Sequence, residues 1–92
     1  APVVLLLHEP DLVEDYAQDK RIVLQLSGHS HGGQVRVNGK PFILPHLGRK
    51  YDLGLYRVGE TWLYTNPGIG TISVPLRYNC PPEVSEIVLV RE

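Results

Sequence analysis

Short apolar runs and alternating stretches, rather than long amphipathic periods, dominate the hydrophobic pattern of this chain. Residues 3–7 and 22–26 are mostly apolar, which predicts two strands, the first of them covered on both faces. Between them, apolar positions at helical spacing follow Asp11, a good N-cap residue, and predict a short helix over residues 11–19. A strand, a helix and a strand of these lengths predict a right-handed βαβ unit with parallel strands.

Beyond residue 34 the pattern is typical of hairpins. Residues 34–37 alternate, the pair at 38–39 is Asn-Gly, and residues 40–43 return, which predicts a β-hairpin. Two further runs, 55–58 and 61–65, flank a Gly-Glu turn and predict a second hairpin. We therefore expect one βαβ unit followed by β-hairpins, which is α/β in order and α+β by content.

The remaining segments are predicted from their glycine and proline content. Residues 44–54 read as a connecting loop that carries His46, most simply a surface histidine. Residues 66–82 are too rich in these two residue types for regular structure, whereas residues 85–90 are predicted to close the chain as a strand.

Composition and charge exclude several classes of protein. The chain has 92 residues, 42% of them hydrophobic and 21% charged, with a formal net charge of -1, so we expect a single domain over residues 1–92 with no basic face for nucleic acid. One cysteine, Cys80, excludes an internal disulfide and is expected to be a small packed residue. With no apolar run of about 18 residues, we expect the chain as given to be soluble; whether the parent protein is cytoplasmic or membrane-associated stays open.

The candidate chemistry lies where the first two predicted strands end. His8 follows the first strand, and residues 28–34 (Gly-His-Ser-His-Gly-Gly-Gln) follow the second. Because parallel strands end at the same edge of a sheet, we expect His8, His29 and His31 to converge. Two imidazoles at positions i and i+2 point the same way from an extended segment, and the small residues Gly28, Gly32 and Gly33 allow close approach to the backbone, so the stretch predicts a metal site.

The spacing of the histidines by itself leaves three interpretations open. They are also compatible with ordinary loop residues in a non-catalytic β-rich domain. A cupin-like metal-binding barrel uses the same His-x-His pattern, but it normally adds a nearby carboxylate and a later histidine on another strand, where this chain has Gln34 and the loop residue His46.

Taken together, these motifs resemble the calcineurin-like metallophosphoesterases. The similarity includes His-Glu-Pro-Asp at residues 8–11, the histidine motif at 28–34, Asn-Pro-Gly-Ile-Gly-Thr at 66–71 and Asn-Cys-Pro-Pro-Glu at 79–83. The last two stretches, with residues 75–77, resemble the membrane-associated bacterial branch, which includes phosphodiesterases.

The resemblance implies a two-layer β-sandwich flanked by helices, of which this chain would be the C-terminal half. It also implies hydrolysis of phosphomonoesters or phosphodiesters at a dinuclear centre of two divalent metal ions, with Mn, Fe or Zn favoured by mixed imidazole and carboxylate ligands. Carried over, His8 and His29 would share one metal and His31 would serve its neighbour. Apart from the resemblance, Arg77 is the only cation of residues 66–79, and a guanidinium suits bidentate contact with phosphate, which predicts that it lines the substrate rim; a surface salt bridge is the alternative.

The departures from the family pattern concern its first half. The Asp-x-His, Gly-Asp-x-x-Asp and Gly-Asn-His motifs of that half do not occur here. The chain also contains no methionine, and its first predicted strand begins at residue 3, so we expect a fragment of a longer protein. Such a fragment would carry no catalytic residue and be inactive without the missing N-terminal half, and its exposed sheet would favour self-association or a domain swap.

Overall fold

A four-stranded sheet with the order β1-β2-β6-β5 forms the body of the chain. The computed structural model describes residues 2–34, 36–37, 39–41, 44–69 and 77–90. The strands of this sheet are β1 (Val3–Leu6), β2 (Ile22–Ser27), β5 (Gly54–Val58) and β6 (Thr61–Thr65). A small second sheet pairs β3 (Arg36–Val37) with β4 (Lys40–Pro41).

The predicted strand–helix–strand unit is present, with a shorter helix. Strands β1 and β2 are parallel, with Leu6 opposite Leu26. A 3-10 turn (Pro10–Leu12) runs into the α-helix α1 (Val13–Tyr16), which ends well before residue 19. The sequence predicted that Asp11 caps the helix, but it does not. Its carboxylate instead accepts the backbone N–H groups of Arg49, Lys50 and Tyr51. Three amides of one loop satisfy a carboxylate better than a single helix end.

The two predicted hairpins are antiparallel pairs. Strand β5 pairs with β6 around a turn in which Gly59 has a φ of 60°, and β3 pairs with β4 across residues 38–39. Val35, Asn38, Phe42 and Ile43, which belong to the first hairpin prediction, lie outside the described residues. Pairing of β2 with β6 is parallel and makes these two the central strands of the sheet.

The core lies between this sheet and the segment around α1. Val13 on α1 and Leu63 on β6 are fully buried, and Leu24 of β2 is 7% exposed. The buried Gln25 side chain donates to the Pro10 carbonyl oxygen at 3.4 Å, which ties the central strand to the 3-10 turn. Cys80 is buried, as predicted.

Two predictions about burial and pairing are wrong. Strand β1 is not covered on both faces, because it lies at an edge of the sheet and its Val3, Val4 and Leu6 are exposed. Residues 85–90 do not form a strand, and residues 81–90, called the tail below, have no regular secondary structure. A strand needs a neighbour to take its backbone hydrogen bonds, and no described strand pairs with the tail.

The described fold therefore consists mostly of strands, in a mixed parallel and antiparallel sheet, with one short α-helix. The two central strands are parallel, and β1 and β5 are the edge strands of the described sheet. A cupin, by contrast, is a closed antiparallel barrel. The second sheet of a sandwich is not among the described elements. No helix of the described ranges is long and apolar enough to cross a membrane.

Candidate metal site

The parallel pairing of β1 and β2 brings His8 and His29 into contact. The Gly28 amide donates to the His8 carbonyl oxygen at 3.1 Å, so the two segments stay in register just beyond the ends of β1 and β2. The imidazole rings have centroids 4.5 Å apart and planes inclined by 58°. His8 is exposed and His29 is half-buried, so a ligand can reach the pair from solvent.

The segment that carries His29 and His31, residues 28–34, is called the histidine loop. Three of its non-glycine residues have left-handed backbone angles, with φ of 70° at His29, 52° at His31 and 56° at Gln34. Such angles cost about 1–3 kcal/mol each and persist only where surrounding contacts impose them. Concentration of strain on both histidines indicates a functional constraint on this loop.

His31 presents a buried ring nitrogen without a hydrogen-bond partner among the described residues. Its Nδ1 is solvent-inaccessible and unpaired, although the rest of the residue is only partly buried. An unsatisfied buried polar group costs about 1–3 kcal/mol, so this nitrogen calls for a partner. A metal ion that accepts the lone pair of this nitrogen would meet that need.

The histidines can supply part of the ligand set of a metal ion, but not all of it. Imidazole nitrogens suit Fe and Zn, and His8 with His29 forms a pair of them. No group of three or more His, Cys, Asp or Glu side chains within the described ranges is arranged to hold a metal ion, so the structure joins His8 to His29 and does not bring His31 into such a group with them.

Glycines allow the tight packing behind the loop. Gly32 has a φ of 60°, and a Cβ added there would lie 2.4 Å from the Cys80 Sγ. Gly33 also has a positive φ, of 82°, and is buried. At Gly28 an added Cβ would meet only the Asn66 carbonyl oxygen, at 3.9 Å, so no steric demand for glycine is present there.

Arg77 lies behind the histidine loop. Its guanidinium donates to the carbonyl oxygens of His31 (3.1 Å), Pro67 (2.8 Å) and Cys80 (2.7 Å). These contacts hold three backbone segments together. The contact of Arg77 with a substrate phosphate stays a prediction.

An ion pair that the sequence did not reveal holds the loop from its other side. Arg36 Nη1 lies 2.8 Å from the Asp52 carboxylate and also donates to the Gly32 carbonyl oxygen at 2.9 Å. The two side chains are only 13% and 15% exposed. Ser30 Oγ donates to the Asp52 carbonyl oxygen at 2.5 Å and accepts from the Gly32 amide at 3.1 Å. Asp52 thereby fixes the residue between the two histidines.

Tyr56 completes this network from β5. Its hydroxyl donates to the Asp52 carboxylate at 3.1 Å and accepts from the Leu53 amide at 3.2 Å. Burial raises the pKa of the Tyr56 hydroxyl, so it stays a proton donor at neutral pH. No local sequence signal could have found this network, because Asp52 lies 16 residues from Arg36 in a stretch without periodicity.

The loop that carries His46 contacts His29 directly. Its Nε2 lies 2.8 Å from the carbonyl oxygen of His46, whose own side chain is exposed, as predicted for a surface histidine. The ring of His29 is therefore held between His8 and the loop that carries His46.

Comparison with known proteins shows the family of the chain. The chain is 41% identical over 87 residues to a metallophosphoesterase of Bacillus subtilis named YkuE, which is described as uncharacterized. It is 43% identical over 91 residues to the phosphodiesterase YaeI of Escherichia coli. The chain belongs to the metallophosphoesterase family. A transmembrane protein with a metallophosphoesterase domain from Danio rerio is a further relative, 40% identical over 90 residues.

Coverage is unequal between the chain and these relatives. The alignments include 94%, 97% and 96% of this chain but only 30%, 33% and 20% of the three relatives. The chain thus spans about a third of the length of its bacterial relatives. No family model matches the chain, and no solved structure matches it either.

Proposed function

We propose that the protein carrying this chain is a metal-dependent phosphoesterase and that the chain supplies His8, His29 and His31 to its metal centre. The observation that carries the proposal is the contact of the His8 and His29 rings at the carboxyl ends of two parallel strands, in a chain of the metallophosphoesterase family. Open α/β sheets bind their ligands at this edge. In the proposed arrangement His8 and His29 serve one metal ion and His31 serves a second.

The chemistry divides between the metal ions and the residues that hold them. Two divalent cations, when bound, polarise a phosphoryl oxygen and make water nucleophilic at neutral pH. The work of this chain is to orient its imidazoles before the metal arrives. Backbone strain at His29 and His31, the Arg36 contacts and the Ser30 hydroxyl all act on that orientation.

The remaining ligands belong, in this proposal, to parts of the protein beyond this chain. Two imidazoles for one cation and one for the other leave both coordination shells incomplete, and two neighbouring cations repel each other unless carboxylates reduce that repulsion. The chain alone is therefore expected to bind a single ion weakly and to lack activity. Its exposed edge strand β1 would let copies of the isolated chain associate.

The test compares the isolated chain with the product of the complete reading frame, using a chromogenic phosphodiester and Mn²⁺. We expect metal-dependent turnover by the complete protein and none by the chain alone. His29→Gln in the complete protein should lower turnover at least about 100-fold, since ligand loss exceeds the 10–100-fold cost of losing an outer contact. His46→Gln is the matched control and should retain activity, because its side chain is exposed. Turnover by the isolated chain that His29→Gln abolishes would contradict the proposal of missing ligands.

A further inference from the structure

A turn at residues 45–48 lies directly against the histidine loop. The Gly48 amide donates to the Pro45 carbonyl oxygen at 3.1 Å, and Leu47, the third residue of the turn, has a φ of 64°. A positive φ at this position distinguishes a type II turn from a type I turn, in which the peptide between the second and third residues is turned over. In the turn 45–48 that peptide carries the His46 carbonyl group. The unusual angle at Leu47 therefore decides where this oxygen points.

The His46 carbonyl oxygen accepts a hydrogen bond from the imidazole of His29. The Nε2 atom of His29 lies 2.8 Å away, and because a carbonyl oxygen only accepts, Nε2 must donate. A neutral imidazole carries one proton, so Nδ1 of His29 keeps a free lone pair. Metal-binding histidines commonly donate their second ring N–H to a carbonyl oxygen or a carboxylate in this way.

The turn 45–48 is itself fixed from behind. The Asp11 amide donates to the Leu47 carbonyl oxygen at 3.0 Å, and the Asp11 carboxylate accepts the amides of residues 49–51. On the side of the histidine loop, a Cβ added at Gly48 would lie 3.4 Å from His29 Cδ2 and 3.3 Å from Ser30 Cβ. The turn is thus held between the 3-10 turn Pro10–Leu12 and the histidine loop, and its carbonyl groups keep one orientation.

We propose that the turn 45–48 is a positioning element that fixes the proton of His29 on Nε2 and presents Nδ1 as the metal-binding nitrogen. This inference rests on the proposed metal function. It adds to that function the identity of the binding atom and the segment of the chain that selects it.

The first measurement needs no variant. Histidine-selective ¹⁵N labelling of the complete protein, freed of metal and held near pH 8, where an ordinary imidazole with a pKa of about 6.5 is neutral, distinguishes protonated from lone-pair ring nitrogens by their chemical shifts. The signals of His29 are assigned by their loss in His29→Gln. A proton on Nε2 is expected, and a proton on Nδ1 would overturn the inference.

The second measurement turns the carbonyl group away. Leu47→Pro forces φ to about −65° and removes the left-handed angle on which the orientation of the His46 carbonyl depends. We expect the ring of His29 to lose its single tautomer and the affinity for Mn²⁺, measured by the free-ion EPR signal, to fall about 10–100-fold. Gly48→Ala displaces the turn by a smaller amount, since the added Cβ would lie 3.2 Å from Pro45 Cγ and 3.3 Å from Ser30 Cβ, and provides the same test where the proline variant does not fold.

Two matched variants separate the backbone from the side chains. His46→Ala removes the imidazole but keeps the carbonyl group, and Leu47→Asn keeps a residue that tolerates the left-handed angle. Both should retain the tautomer and the Mn²⁺ affinity of the unmodified protein. A loss of affinity in His46→Ala as large as that in Leu47→Pro would assign the effect to the side chain and overturn the inference.

Failure of this inference and failure of the proposed function give different results. If His29→Gln leaves the Mn²⁺ affinity unchanged, His29 is not a metal ligand and the proposed function itself fails. If His29→Gln lowers the affinity while Leu47→Pro and Gly48→Ala change neither the tautomer nor the affinity, the metal site stands and the positioning role of the turn is refuted.

Discussion

The histidine loop and the tail differ in how far contacts within this chain stabilise them. The histidine loop has three strained non-glycine residues, and partners for it come from β3, the turn 45–48, Asp52 and residues 77–80. The tail is unstrained by comparison and exposes its apolar side chains, with Val88 at 71% and Val90 at 81%. Strain in the loop is balanced within this chain, whereas the apolar surface of the tail is not buried by the residues that the structure describes. The conformation of the histidine loop is therefore determined by contacts within this chain.

The largest expected effect comes from breaking the ion pair beside the loop. Asp52→Ala leaves the mostly buried Arg36 guanidinium without its counter-ion and removes the carboxylate that accepts from the Tyr56 hydroxyl, so we expect the free energy of unfolding to fall by about 3 kcal/mol. Urea denaturation of the complete protein measures this change. Glu60→Ala in the exposed β5–β6 turn is the control and should stay within about 0.5 kcal/mol of the unmodified protein. Equal losses in the two variants would show that the loop does not depend on this pair.

Two glycines with similar backbone angles separate packing from conformation. Gly32 and Gly39 have φ of 60° and 75°, but an added Cβ at Gly32 would lie 2.4 Å from Cys80 Sγ, whereas at Gly39 nothing lies within 4 Å. Gly32→Ala should therefore destabilise by about 1–3 kcal/mol more than Gly39→Ala. Thermal melting of both variants gives the difference. Cys80→Ala should remove most of it, and a difference that persists in that background would mean that the overlap with Cys80 is not its cause.

The smallest expected effect concerns the attachment of the tail. Hydrogen bonds from Ser85 first and then Tyr64 hold the pKa of Glu83 below its ordinary value of 4.5. Because the folded pKa is lowered, this attachment contributes fully above pH 4.5 and is lost as pH falls through the lowered value. For a carboxylate that is only partly buried the contribution should be below about 1 kcal/mol.

Hydrogen exchange at the Glu83 amide measures this loss, since that amide donates to the Gly68 carbonyl oxygen at 3.0 Å in the attached tail. After correction for intrinsic exchange rates, protection should decrease with falling pH in the unmodified protein and stay level in Glu83→Gln. Identical pH profiles for the two proteins would mean that the carboxylate does not hold the tail.

The sequence correctly predicted those features that depend on residues close together along the chain. Strand β2, both hairpins and the meeting of His8 with His29 follow from local apolar patterns and from the parallel course of β1 and β2. The convergence of His31 with them stays a prediction. The role of Asp11 was missed because its partners lie about 40 residues further along the chain.

What the sequence could not predict is set by partners that are distant along the chain. The pattern of β6 is compatible with either neighbour, and its parallel pairing with β2 depends on how the intervening segment folds back. The same holds for the tail, whose apolar alternation is a strand pattern, but a pattern becomes a strand only beside a partner.

The long sequence separation of the contacts around His31 has a consequence for how the protein is made. Its carbonyl oxygen accepts from Arg77, 46 residues later, and from the Cys80 thiol, 49 residues later. During synthesis, at about 5–20 residues per second, the two histidines of the loop leave the ribosome seconds before the residues that fix them. Nascent chains thus carry unrestrained imidazoles, and we expect metal to be acquired only after residue 80 has emerged.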